Sequence, residues 1–138
     1  MKIVAAVDFS TATECILKAA KTYAQILDAE VYLIHVDPSA DDQYDSDIGT
    51  CVCNEKAESI RLNKNAKALQ KTGVKAIPIL LHGVISEMLL AEAERLEADL
   101  IIAGIHGHGL LHGRLVGSTA EGILRKSKIP VLLIPAKD

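Results

Sequence analysis

One stretch of this chain, GIHGHGLLHGRLVGST at residues 104–119, concentrates the residue types that hold anions. Gly104, Gly107 and Gly117 are followed at once by Ser118 and Thr119. Glycines let backbone N–H groups approach phosphate oxygens and adopt positive φ. A helix opening at Gly117-Ser118-Thr119 adds free N–H groups and a dipole that favours negative charge. The plainer reading gives the glycines to turns and Ser118 to an N-cap with Glu121 three residues on. A position after a strand and before a helix favours the phosphate cradle. Two better-known phosphate loops are excluded. No Lys follows a glycine here, as a P-loop requires, and the dinucleotide pattern G-x-G-x-x-G needs glycine where His112 stands.

In open α/β sheets, ligands bind outside the carboxyl ends of the strands. All five histidines fall at such ends or in this loop: His35, His82, His106, His108 and His112. His106, His108 and His112 have spacings compatible with metal ligation. Such histidines more commonly donate to phosphate or face water, so no metal site is assigned. Arg114 fits either a phosphate partner or a solvated side chain. His35 and His82 read as strand-end residues with backbone partners. Asp8, after the first strand, is the carboxylate best placed for chemistry, and a helix-capping role near Thr11 competes with it.

Those residues need elements to carry them. Apolar runs at Lys2–Val7, Glu30–Val36, Val74–Leu81, Ala98–Ala103 and Pro130–Ile134 are continuous rather than alternating. Strands of that kind are buried on both faces in a parallel sheet. Helices fit Ser10–Leu27, Asn54–Lys71, Ile85–Leu96 and Ser118–Lys126 between them. Ala12, Ile16, Ala19, Tyr23 and Leu27 mark one face of the first helix, and Thr11 with Glu14 has capping-box spacing. Thr72-Gly73 stops the second helix. The third turns Ile85, Leu89, Ala93 and Leu96 inward. The expectation is a single α/β domain over residues 1–138: an open, three-layer parallel five-stranded sheet with helices on both faces.

The segment DPSADDQYDSDIGT, Asp37–Thr50, is acidic and reads as a long surface loop. Asp41, Asp42, Asp45 and Asp47 are spaced too loosely for a calcium-type loop, which favours solvation over a Mg²⁺ site. The cysteines are Cys15, Cys51 and Cys53. Cys15 lies on the apolar face of the first helix and is expected to be buried. Cys51-Val52-Cys53 is not a redox pair and lacks further ligands for a metal.

A resemblance adds to this. VDFS after the first strand, HV ending the second, DLIIAG at Asp99–Gly104, G-x2-G-x9-G-S-T and KIPVLLIP at Lys128–Pro135 resemble the universal stress protein family, in its ATP-binding branch, over essentially the whole chain. The resemblance implies strand order 3-2-1-4-5, with the switch point between strands one and four. It also implies site roles. Asp8 would bond the ribose hydroxyls and Val7 would line the adenine and ribose pocket. Val36 would hold adenine through its backbone. Ala103 and Gly104 would pack close to ribose and phosphates, and Gly107, Gly117, Ser118 and Thr119 would cradle the phosphate chain. The cofactor expected is ATP with Mg²⁺.

Composition narrows the function classes. The chain has 138 residues, 49% of them hydrophobic, enough to bury a core without metals or disulfides. A net charge of −3 argues against general affinity for nucleic acid. No apolar run approaches the roughly 18–20 residues of a membrane span. Met1-Lys2-Ile3 runs straight into a strand without a signal-peptide pattern, so a cytoplasmic protein is expected. The leading reading is a dimeric, nucleotide-binding stress-response regulator with an unknown protein partner. The alternative is a slow ATPase or phosphotransferase; no complete catalytic set is visible, so hydrolysis is expected to be weak at most. Val131, Leu132, Leu133 and Ile134 on the last strand are the expected homodimer edge.

Overall fold

The computed structural model describes residues 1–38, 48–105 and 117–135, and of residues 48–56 only the helical path. Gly107, the loop histidines, Arg114, the aspartates at 41, 42, 45 and 47, and the side chains of Cys51 and Cys53 lie outside the described residues.

The elements alternate strictly: β1 (Lys2–Ala6), α1 (Thr13–Leu27), β2 (Glu30–Asp37), α2 (Ile48–Gln70), β3 (Ala76–His82), α3 (Ile85–Leu96), β4 (Leu100–Gly104), α4 (Ser118–Lys126) and β5 (Val131–Ile134). The strands form one sheet in the order β3-β2-β1-β4-β5, and every pairing is parallel. This is the expected α/β architecture and strand order.

Period-two alternation sorts the sheet residues into two cores. Ile3, Ala5, Val7, Val31, Leu33 and Ile102 pack with Ile16, Ala20, Leu62 and Ala66 of α1 and α2. Val4, Ile34, Val36, Ile101 and Ala103 pack with Leu89, Ala93 and Ile123 of α3 and α4. A strand buried on both faces must be apolar at nearly every position, which is why the runs are continuous. The register pairs Ala6 with Ile34 and Ala5 with Ile102, so β1, β2 and β4 end side by side.

Several boundaries differ from expectation. α2 begins at Ile48, and Asp37 belongs to β2, so the acidic connection is shorter than Asp37–Thr50. The buried stripe of α1 is Thr13, Ile16, Ala20 and Ala24. Tyr23 is exposed and Ala19 is not in the buried set. Small alanines let α1 approach the sheet, whereas a tyrosine at 23 would hold it off. Cys15 is half-buried rather than buried. Neither capping box forms. The N-cap of α1 is Ala12, without a side-chain bond. Gly117 is the N-cap of α4, and Ser118 is its first helical residue. Glu121 instead pairs with Arg125 one turn on, at 3.2 Å.

Gly73 does stop α2 in a left-handed conformation, φ +91°. Gly83 has φ +130°, and a Cβ there would lie 3.0 Å from Met88 Cγ. Its N–H donates to the Asp37 carbonyl at 3.1 Å, tying the end of β3 to the end of β2.

Leu33 is fully buried at the centre of the α1/α2 core. Leu33→Ala should lower unfolding free energy by about 2–5 kcal/mol, read from the urea midpoint at an unchanged m-value. A loss under about 1 kcal/mol would show a site that collapses around the deletion.

Candidate functional site

Chain direction opens the site. After β1 the chain moves toward β2 with α1 on one face of the sheet. After β4 it moves toward β5 with α4 on the other face. Two loops leaving adjacent strands in opposite directions part to form a crevice. The cavity there has a volume of about 410 Å³, within the usual range for a small-molecule site.

Its lining includes Val7, Asp8, Val36, Ala103, Gly104, Gly117, Ser118 and Thr119. Eight of the residues singled out from the sequence therefore share one cavity, and Gly107 lies outside the described residues.

Asp8 is already engaged with its own turn. Its Oδ1 accepts the Ser10 N–H at 3.0 Å, and Ser10 Oγ accepts the Ala12 N–H at 3.2 Å. This relay fixes the turn that leads into α1, and the Thr13 N–H donates to the Ser10 carbonyl at 3.0 Å. A carboxylate has about four acceptor positions, so a turn bond does not exhaust it. Between Asp8 and Ser10, Phe9 sits at φ 61°, an uncommon conformation for a bulky residue.

The opposite rim is the start of α4. Gly117 has φ −68°, so it does not use glycine's access to positive φ, contrary to expectation. Its N–H is also spent, donating to the Ile105 carbonyl at 2.7 Å. The donors that remain for an anion are the N–H groups of the first helical turn, Ser118 to Ala120, which no side chain among the described residues caps. Gly117 lines the cavity where the helix opens.

The sequence reading missed the wall built by α2. His35, 6% exposed, was expected to have backbone partners only. Its Nδ1 donates to the Val7 carbonyl at 2.8 Å, since a carbonyl can only accept. Its Nε2 lies 3.1 Å from Glu58 Oε2. The Phe9 ring lies against the imidazole, with centroids 4.5 Å apart at 37°. Arg61, one turn beyond Glu58, holds its guanidinium 5.6 Å from the Phe9 centroid. Phe9, His35, Glu58 and Arg61 all line the cavity. Glu58 Oε1 is buried without a hydrogen-bond partner, so the carboxylate is held through one oxygen. His35 shares strand parity with Leu33, which placed it toward α2. No spacing pointed to Glu58, which is 23 residues away.

Among the described residues no group of three His, Cys, Asp or Glu side chains is arranged to hold a metal. No helix among the described residues is long and apolar enough to cross a membrane.

An open parallel sheet with a crevice at its switch point, walled by a carboxylate and a bare helix N-terminus, defines a class of small-ligand α/β proteins. The sequence model of the universal stress protein family matches residues 1–135, and the chain belongs to that family. Universal stress protein MJ0577 of Methanocaldococcus jannaschii is 30% identical over 155 aligned positions, covering 99% of this chain and 96% of the relative. A solved structure of MJ0577 matches with a TM-score of 0.83 over 99% of this chain and 96% of that one. A universal stress protein from Archaeoglobus fulgidus, solved in complex with dAMP, is 27% identical with a TM-score of 0.72, covering 97% of each chain.

His35 joins β1, the Phe9 turn and α2. His35→Leu should cost about 1–3 kcal/mol, the penalty for leaving a buried polar partner unmatched, measured by urea unfolding. Parent-like stability would mean the three elements hold together without it.

Proposed function

We propose that this chain binds adenine nucleotide, ATP in particular, and acts as a dimeric cytoplasmic stress-response regulator. The observation that carries the reading is the pairing, across one cavity, of Asp8 with the uncapped first turn of α4. A carboxylate suits ribose hydroxyls, and helix N–H groups suit phosphate. Val36, Asp8 and Gly104 stand at the ends of the adjacent strands β2, β1 and β4. Neighbouring strands are about 4.8 Å apart, so the row spans roughly 10 Å. A nucleotide laid across it puts base at β2, ribose at β1 and phosphates at β4. The dAMP complex of the Archaeoglobus relative supports an adenine nucleotide. Mg²⁺ would arrive with the phosphates.

Turnover is not favoured. Among the described lining residues the acidic ones are Asp8, which this reading gives to ribose, and Glu58, which is bonded to His35. Among the described lining residues there is no lysine to stabilise a transferring phosphoryl group.

Titration calorimetry with ATP, AMP and NAD tests the assignment. ATP should give a saturable heat and NAD none. Gly117→Val should fold, because φ −68° suits any residue. It should weaken ATP by roughly tenfold or more, because the branched side chain would hold phosphate off the N–H groups of Ser118 to Ala120, and a hydrogen bond to a charged group contributes about 1.5–3 kcal/mol. No heat with ATP at millimolar concentration would refute the reading, and parent-like binding by Gly117→Val would move the phosphates elsewhere.

For the dimer, the two sheet edges differ. β3 carries Pro78 in mid-strand, which blunts an edge by removing a donor. β5 presents Val131, Leu132, Leu133 and Ile134, all partly exposed and with no proline among them. An edge of that kind invites a second copy across a two-fold axis. Light scattering should find a dimer for the parent and a monomer for Leu132→Lys. A monomeric parent refutes it, and a dimeric variant moves the interface away from β5.

A further inference from the structure

We propose that Arg61 contacts the ligand, stacking its guanidinium on the base of a bound nucleotide with Phe9 behind it. The inference rests on the nucleotide reading above and concerns its base end.

The cavity has two unlike ends. The anion end is fixed by the first turn of α4, beside β4. A mononucleotide anchored there points its base toward β2, where Ile85 and Leu89 of α3 line the cavity on one face of the sheet and α2 walls it on the other. Glu58 and Arg61 are one turn apart on that helix, and both line the cavity. Side chains three apart share a helix face and readily pair. Here Glu58 is taken by His35 at 3.1 Å. Arg61 is left without a carboxylate partner among the described residues and rests on Phe9 at 5.6 Å.

An exposed arginine is ordinarily solvated, and three observations set this one apart. It has an aromatic seat, it lines the cavity, and its seat is packed from behind. The Phe9 ring lies against His35 with centroids 4.5 Å apart. A guanidinium is planar and weakly hydrated, so a second π-system can lie against its other face. Guanidinium planes stack on bases elsewhere in nucleic-acid recognition. Phosphate is the other chemistry an arginine serves, but the phosphate end of this cavity is across the sheet.

The test compares parent, Arg61→Leu and Arg61→Lys by calorimetry with adenosine, AMP and ATP at one salt concentration. Arg61→Leu should weaken all three ligands by the same factor, roughly three- to tenfold. Arg61→Lys should stay weaker than the parent, because an ammonium lacks the planar face. A loss that grows with phosphate number overturns the proposal in favour of a phosphate contact. Full recovery by lysine overturns stacking in favour of charge alone, and unchanged affinity in Arg61→Leu overturns any contact. A parent that binds none of the three ligands refutes the nucleotide reading itself. That outcome is distinct from a parent that binds beside an unaffected Arg61→Leu, which sinks only the arginine.

Discussion

The site depends on one topological constraint: β1 sits between β2 and β4, and the chain leaves β1 and β4 toward opposite faces of the sheet. Nothing about Asp8 or Ser118 would matter if their loops ran to the same side. The parallel register then does the positioning, since Ala6 is level with Ile34 and Ala5 with Ile102. Strand ends held level by backbone hydrogen bonds make a straight floor. The apolar residues beneath it, fully buried in both cores, keep that floor from shifting.

On that floor the local structure is less relaxed. Phe9 occupies a left-handed conformation that costs of order 1–3 kcal/mol for a non-glycine residue. Its neighbours offset that cost. Asp8 and Ser10 bond the turn from both sides, and His35 packs on the ring while holding the Val7 carbonyl. A small polar group of three residues thus fixes a turn that backbone preference would reject. That is also why His35 is buried despite being polar: both ring nitrogens have partners, as a buried imidazole requires.

What could be read from the sequence followed the same physics. Strands buried on both faces leave continuous apolar runs, so all five were visible, with ends off by one or two residues. α3 was visible because Leu89 and Ala93 repeat at helical spacing. Strand order was not in the periodicity and came through the family resemblance. α1 was phased wrongly because an alanine-rich helix hides its buried face, and Tyr23 counts as hydrophobic while lying outside. The capping boxes were matches of spacing without geometry, since the N-caps are Ala12 and Gly117, neither of which has a side chain that can accept a bond. The glycine motif located the α4 rim, yet Gly117 acts there without positive φ and with its own N–H consumed. The α2 wall was invisible because its contacts to β2 and β3 are tertiary.

One consequence concerns how the cavity is joined to the edge of the sheet. The Gly117 N–H donates to the Ile105 carbonyl at 2.7 Å, and the Ile105 N–H donates to the Ile134 carbonyl at 3.0 Å. Ile134 is the last residue of β5, the edge strand. Two backbone hydrogen bonds therefore connect the N-cap of α4 to the edge strand. Ile123 of α4 is fully buried, so the helix body cannot shift freely. A movement of its first turn must be taken up in those two bonds or passed to Ile134. The α2 side reaches the same edge by another route, since Leu132 and Ile134 of β5 pack against the core that α1 and α2 build. The two ends of the cavity are thus tied to β5 by different means, the α4 end by two directional backbone hydrogen bonds and the α2 end by apolar packing.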